Sequence, residues 1–296
     1  MRNLMKILTL AALVALTTST TAPAPAHADS KAKTPPPGPG AYADVNGLKM
    51  YYEVHGKGRP LVLLHGAFCT IDACFGQLVK LLSKSRQVIA VELQGHGRTA
   101  DIDRPLSTVS MADDVAALLG KLKIASADVY GYSMGGGVAT QLAMRHPALV
   151  RRLVIAGAAL TKEGSQPGMI EMIRSIKPEM LEQSPFHDAY KKTSPHPEKF
   201  RTLVKKVQGL DSLEGFKLDE VRKIKAPVLF LLGDADGPTV EHGAQVLRLF
   251  GGGAFGDTGA PRAKSQLAIL PGTSHVDLIN RAEWIALLIT PFLDAN

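Results

Sequence analysis

Short, fully apolar runs alternate with amphipathic helical stretches through residues 61–157. Leu61-Val62-Leu63-Leu64 is apolar at every position, the mark of a strand covered on both faces. The pattern then predicts a helix over 75–83, a strand over 87–93 and a helix over 110–122. Met111, Val115, Leu118, Leu119 and Leu122 share one face of that helix. A strand over 128–133, a helix over 134–146 stopped by Pro147, and a strand at 152–155 follow. Upstream, residues 42–45 and 48–54 flank Asn46-Gly47, a two-residue hairpin signal. Over 158–225 the alternation lapses. Prolines there separate helical pieces near 167–176, 178–183 and 197–208, and the segment reads as a helical cap. The alternation resumes with a strand over 227–232, a helix over 240–250, a strand over 266–270 and a closing helix over 281–293. The expected fold class is therefore α/β. A mostly parallel central sheet is flanked by helices, its core made of residues 42–157 and 226–296, with the cap inserted before the penultimate strand.

The start of the chain follows a different pattern. Residues 1–6 hold Arg2 and Lys6, residues 7–16 are apolar, and Ala26-His27-Ala28 forms a small-residue cleavage site before Asp29. Residues 1–28 are thus expected to be a secretory signal peptide, too short for a stable membrane span. The mature chain is then periplasmic or secreted. Residues 29–41 turn polar and then rich in Pro and Gly, as a linker does. No other apolar run approaches membrane-spanning length, so no stable span is expected after cleavage.

Charge and cysteine content narrow the partners. The formal charge of +7 falls to +5 when Arg2 and Lys6 leave with residues 1–28, which hold no acid. The basic residues are scattered, apart from Lys191-Lys192 and Lys205-Lys206, which argues for a solvated surface and against a nucleic-acid face. Cys69 and Cys74 are the only cysteines. On a regular helix they lie too far apart to bridge, whereas in an irregular loop they can meet, and export permits a disulfide. The alternative is a pair of small apolar core residues. No further Cys or nearby His completes a metal-ligand set.

Candidate chemistry sits at the ends of the predicted strands. Residues 65–68, 94–98 and 131–137 are Gly-containing turns at three strand C-termini, where parallel sheets carry their ligands. The third holds Gly131-Tyr132-Ser133-Met134-Gly135, a G-x-S-x-G turn between strand and helix. Such a turn holds a serine hydroxyl beside the free N–H groups of a helix start. A serine needs a base in reach, and the base needs an acid to fix its tautomer. Ser133, an aspartate near 236 and His275 occur in that order, each just past a predicted strand.

With these pieces the chain resembles the α/β-hydrolase fold superfamily, in its serine esterase, lactonase and cofactor-free haloperoxidase branch. The matching motifs are His65-Gly66-Ala67-Phe68, Gly95-His96-Gly97, Gly131-Tyr132-Ser133-Met134-Gly135-Gly136, Gly233-Asp234-Ala235-Asp236 and Gly272-Thr273-Ser274-His275. The resemblance implies that Ser133 is the nucleophile, His275 the base and Asp236 the acid, with Asp234 as the competing choice. It implies an oxyanion hole from the backbone N–H groups of Met134 and Ala67, Phe68 being the other candidate for the second donor. Phe68 and Tyr132 are expected to line the substrate pocket. The implied activity is hydrolysis of a small-molecule ester through an acyl-enzyme, with no metal or organic cofactor. Lactonase, perhydrolase and proline-iminopeptidase-type aminopeptidase chemistry are the alternatives, as is a non-catalytic binding protein on the same fold. Glu92 stands where the family usually has Asp, at a structural position. His65 and His96 are expected to be structural, His146 to cap its helix, and His187, His196 and His242 to be exposed. Trp284 is expected in the core of the last helix.

Overall fold

The computed structural model of the protein describes residues 40–258 and 263–295. The signal-peptide expectation over 1–28, and all of the linker expectation but residues 40 and 41, lie outside them. In chain order come β1 (Ala41–Val45), β2 (Leu48–His55), β3 (Arg59–Leu64), α1 (Ile71–Leu82), β4 (Arg86–Val91), α2 (Thr108–Lys121), β5 (Ala127–Tyr132), α3 (Met134–Arg145) and β6 (Val150–Ala156). The segment between β6 and the next strand carries α4 (Met169–Ser175), α5 (Pro178–Leu181), α6 (Pro185–Thr193), α7 (Phe200–Gln208) and α8 (Leu218–Val221). Then follow β7 (Val228–Ala235), α9 (Val240–Leu249), β8 (Gln266–Ser274) and α10 (Ala282–Asp294).

The eight strands form one sheet in the order β1-β2-β4-β3-β5-β6-β7-β8. β1 and β2 pair antiparallel, β2 joins β4 antiparallel, and every later pairing is parallel. Asn46 and Gly47 both take positive φ, as a tight hairpin turn requires. The apolar runs are explained by cover on both faces. Val62 and Leu64 belong to a core that includes Met111, Val115 and Leu118 of α2, while Leu61 and Leu63 belong to one that includes Phe75 of α1 and Ile289 of α10. Each such buried side chain contributes roughly 1.5–3 kcal/mol relative to exposure. β3 pairs with β4 on one side and β5 on the other, so the chain reverses its direction across the sheet there. The loops after β3 and β5 therefore open onto one crevice.

Several local signals act beyond hydrophobic pattern. α1 begins four residues before the predicted start because the Thr70 hydroxyl caps it, accepting from the Ala73 N–H at 3.2 Å. Pattern reading missed α6, which Ser184 caps with Pro185 as its first residue. His242 is buried at 2% exposure, not exposed as expected. Its Nε2 accepts from the Leu160 N–H at 2.9 Å, tying the start of the cap to α9, and burial lowers its pKa. Trp284 is 43% exposed, with the Arg281 guanidinium over its ring. The core face of α10 is instead Ile285, Ile289, Phe292 and Leu293. His196 is exposed, and His187 is half-buried against the Phe200 ring. His146 ends α3 and pairs with Asp113 at 2.8 Å, so it has a carboxylate partner besides the helix dipole.

Candidate active site

β5 runs straight into α3 through Ser133, whose φ of 54° and ψ of −120° lie in the strained region for a residue with a side chain. Two neighbours make this turn possible by lacking a Cβ. One built on Gly131 would lie 2.1 Å from the Gly135 carbonyl oxygen, and one on Gly135 would lie 2.1 Å from that of Leu64. The Ser133 N–H donates to the Ala156 carbonyl of β6 at 2.8 Å, which anchors the strained residue to the sheet. Met134 opens α3, so its N–H is one of the helix's unpaired starting donors. Ala67, Phe68 and Met134 line the same cavity as Ser133, and Phe68 has a φ of 62°.

The structure brings Ser133, His275 and Asp236 into one line. His275 Nε2 lies 2.9 Å from Ser133 Oγ, and its Nδ1 lies 2.6 Å from Asp236 Oδ1. Asp236 is buried and also accepts from the N–H groups of Gly233 at 3.2 Å and Gly237 at 2.5 Å. Asp234, two residues earlier, does something else. Its exposed carboxylate accepts from the N–H groups of Gly272 at 2.9 Å and Thr273 at 3.1 Å, and those bonds lower its pKa. It thus fastens the turn that leads into His275. Asp277 supports the same turn from the other side, accepting from Ser274 Oγ at 2.6 Å.

Tyr132 lines the cavity and makes a further contact that the sequence pattern does not signal. Its hydroxyl donates to the His275 carbonyl at 2.8 Å, and its ring stacks on the imidazole at 5.2 Å between centroids. Burial, with Asp236 nearby, raises the phenol's pKa, so it stays a proton donor. The contact joins residues 143 apart, and no local pattern signals it.

His65 and His96, which lie in the neighbouring Gly-containing turns, do not line the cavity. They are fully buried with rings 5.1 Å apart. His65 Nδ1 donates to the Gly66 carbonyl at 2.8 Å and its Nε2 accepts from the Leu93 N–H at 3.1 Å, a pairing that requires the neutral ring. Burial lowers the pKa of His65 to about 3 and that of His96 to about 4 from 6.5. Once unfolded, both protonate near pH 6.5, so the unfolded state binds more protons below that value. The stability these rings contribute is complete above pH 6.5 and is lost as pH falls toward 4 and then 3. The urea midpoint is expected to fall between pH 7 and pH 5. A flat midpoint there would refute the assignment.

Glu92, also buried, accepts from the Ile71 and Arg98 N–H groups and pairs with the Arg98 guanidinium at 2.8 Å. It braces the turns beside the site. Cys69 and Cys74 are joined as a disulfide with Cα atoms 6.0 Å apart, linking the loop after Phe68 to the first turn of α1. Among the described residues, no cluster of three or more His, Cys, Asp or Glu is placed to hold a metal ion. Nor is any helix among them long and apolar enough to cross a membrane. A cavity of about 670 Å³ lies over Ser133, walled by core loops on one side and by residues of the 158–225 segment on the other.

The model of the alpha/beta hydrolase fold family matches residues 59–247. The chain is 37% identical over 116 residues to a 2-hydroxymuconate semialdehyde hydrolase of Pseudomonas sp. (strain CF600), covering 38% of this chain and 41% of that protein. It is 30% identical over 211 residues to the AB hydrolase superfamily protein YisY of Bacillus subtilis (strain 168), covering 63% and 78%. The first of these matches spans less than half of that relative's length. Among solved structures, the enol-lactonase of Burkholderia xenovorans LB400 superposes with a TM-score of 0.65 at 23% identity, covering 86% of this chain and 100% of that one.

Proposed function

This chain belongs to the α/β-hydrolase fold family, and from that premise we propose that it is an exported serine hydrolase. It cleaves a small or medium carboxylic ester by acyl transfer. The observation that carries the reading is the hydrogen-bonded line from Ser133 Oγ through His275 to buried Asp236. Ser133 Oγ attacks the ester carbonyl carbon while its proton passes to His275 Nε2. Asp236 holds the proton on Nδ1, so that Nε2 is the ring's acceptor, and stabilises the imidazolium that forms. The Met134 and Ala67 N–H groups receive the oxyanion. His275 then returns its proton to the leaving alkoxide, and the alcohol departs. Water attacks the acyl-enzyme, again losing a proton to His275, and the carboxylic acid leaves with Ser133 restored.

The Cys69–Cys74 disulfide supports export, because such bonds persist in oxidising compartments. The aminopeptidase reading lacks support. It needs cap acids to hold a substrate amine, yet Glu163, Glu171, Glu179 and Glu182 do not line the cavity, and the last two pair with Arg201. The test is a kinetic screen of p-nitrophenyl esters, lactones and aminoacyl p-nitroanilides on the mature protein from Asp29. Esters are expected to exceed aminoacyl amides in kcat/KM by about a hundredfold or more, since no cavity acid pairs the ammonium. The reverse order would sink the reading.

A further inference from the structure

The chain is 21% charged, yet among the described residues no Lys, Arg or Glu lines the cavity. Its ionisable lining consists of Asp236 and His275, which are already committed to each other and to Ser133. Several charges on the cap are paired away from the cavity: Arg174 with Glu214, Arg201 with Glu179 and Glu182, and Lys206 with Asp101. What the cap turns to the cavity is Ile170, Ile173, Ile176, Leu181, Phe186 and Val207. The polar lining apart from the Ser133 site includes Thr161, Ser165, Gln166 and Ser212, all uncharged. Met172 lines the cavity while 58% exposed, so it marks the rim.

We infer that the substrate is an ester whose medium-length aliphatic group fills the cap side of this cavity and which carries no carboxylate. The inference rests on the serine-hydrolase reading and adds the substrate's charge and shape to it. A carboxylate entering this lining gives up its hydration and meets no cation in exchange. Hydroxyls and one amide can hold an alcohol or ether oxygen, but they do not balance a full charge. An aliphatic chain gains instead, by about fourfold per methylene withdrawn from water. The cavity volume is within the range that encloses a ligand of drug size.

Three esters on the mature protein test this: p-nitrophenyl acetate, p-nitrophenyl octanoate, and the mono-p-nitrophenyl ester of octanedioic acid. The last matches the octanoate in length but ends in a carboxylate. Octanoate is expected to exceed acetate in kcat/KM by about tenfold or more, and the octanedioate monoester to fall below octanoate by about a hundredfold. Ile173→Arg places a cation in the lining and should raise the octanedioate-to-octanoate ratio about tenfold. An octanedioate rate equal to or above octanoate overturns the inference, as does a ratio that Ile173→Arg leaves unmoved. A fluorophosphonate probe separates the two levels. Labelling of Ser133 with the wrong chain preference, or with no octanoate turnover, strikes this inference alone. Failure to label Ser133 strikes the serine-hydrolase reading beneath it.

Discussion

Ser133→Ala is expected to lower ester kcat/KM by on the order of 10⁵- to 10⁶-fold, because nucleophile and base act as one unit and the loss of either removes the covalent route. The same variant should lose labelling by a fluorophosphonate, which needs the hydroxyl. The fold should survive the change. Ser133 N–H bonds to Ala156 through the backbone, and the side chain makes no cap bond on α3, so its removal leaves sheet and helix intact. Alanine and serine meet the same backbone strain at a φ of 54°, and the thermal midpoint should therefore stay within a few degrees. Residual activity near that of the parent protein, or labelling at the parent rate, would mean that another residue is the nucleophile. His65 and His96 offer no substitute base for such a residue, since neither reaches the cavity.

Much of the fold was legible because a parallel sheet covered on both faces writes itself as unbroken apolar runs. Leu61–Leu64 send alternate side chains into two cores, so all four positions are apolar. The limits of the pattern appear where a polar side chain, not burial, fixes an element. Thr70 starts α1 early and Ser184 starts α6. β8 runs on past its apolar stretch through Pro271-Gly272 to Ser274, because Ala235 of β7 pairs with Ser274 across an irregular register. The misplaced residues share a related cause. Trp284 looked like core because it is large and aromatic, but the helical phase of α10 gives the inner face to Ile285 and Ile289. His242 reads as surface because it is polar, yet the Leu160 backbone N–H at the start of the cap donates to its ring and satisfies it in the interior.

The candidate site divides along the same line. Ser133 was visible through the glycines that its turn demands, and His275 through the strand that ends before it. The links among site residues were invisible, because Tyr132 hydroxyl to His275 carbonyl and Asp234 to Gly272 are contacts between distant parts of the chain. The disulfide has a local cause: Cys69 lies in the irregular stretch before Thr70 caps α1, so the pair does not sit on one regular helix, a boundary that the hydrophobic pattern does not mark.

The two aspartates of the β7 turn are expected to separate by orders of magnitude. Asp236→Asn should lower kcat by about 10³- to 10⁴-fold with KM little changed, because the amide reverses the hydrogen-bond polarity of the line. An Asn NH₂ facing His275 Nδ1 makes that nitrogen the acceptor and puts the ring proton on Nε2. Nε2 then points a proton at Ser133 Oγ and cannot accept one. The loss is chemical, so binding of a non-hydrolysable substrate analogue should persist. Asp234→Asn acts at one remove. Its carboxylate accepts from two backbone N–H groups, and the amide can accept well with only one oxygen while its NH₂ meets the other donor. The turn bearing His275 loosens, but the triad's own bonds remain, and kcat should fall by about tenfold or less. If Asp234→Asn is the more damaging of the two, the acid assignment moves to Asp234. If both are mild, the 2.6 Å contact between His275 and Asp236 holds the ring without tuning it.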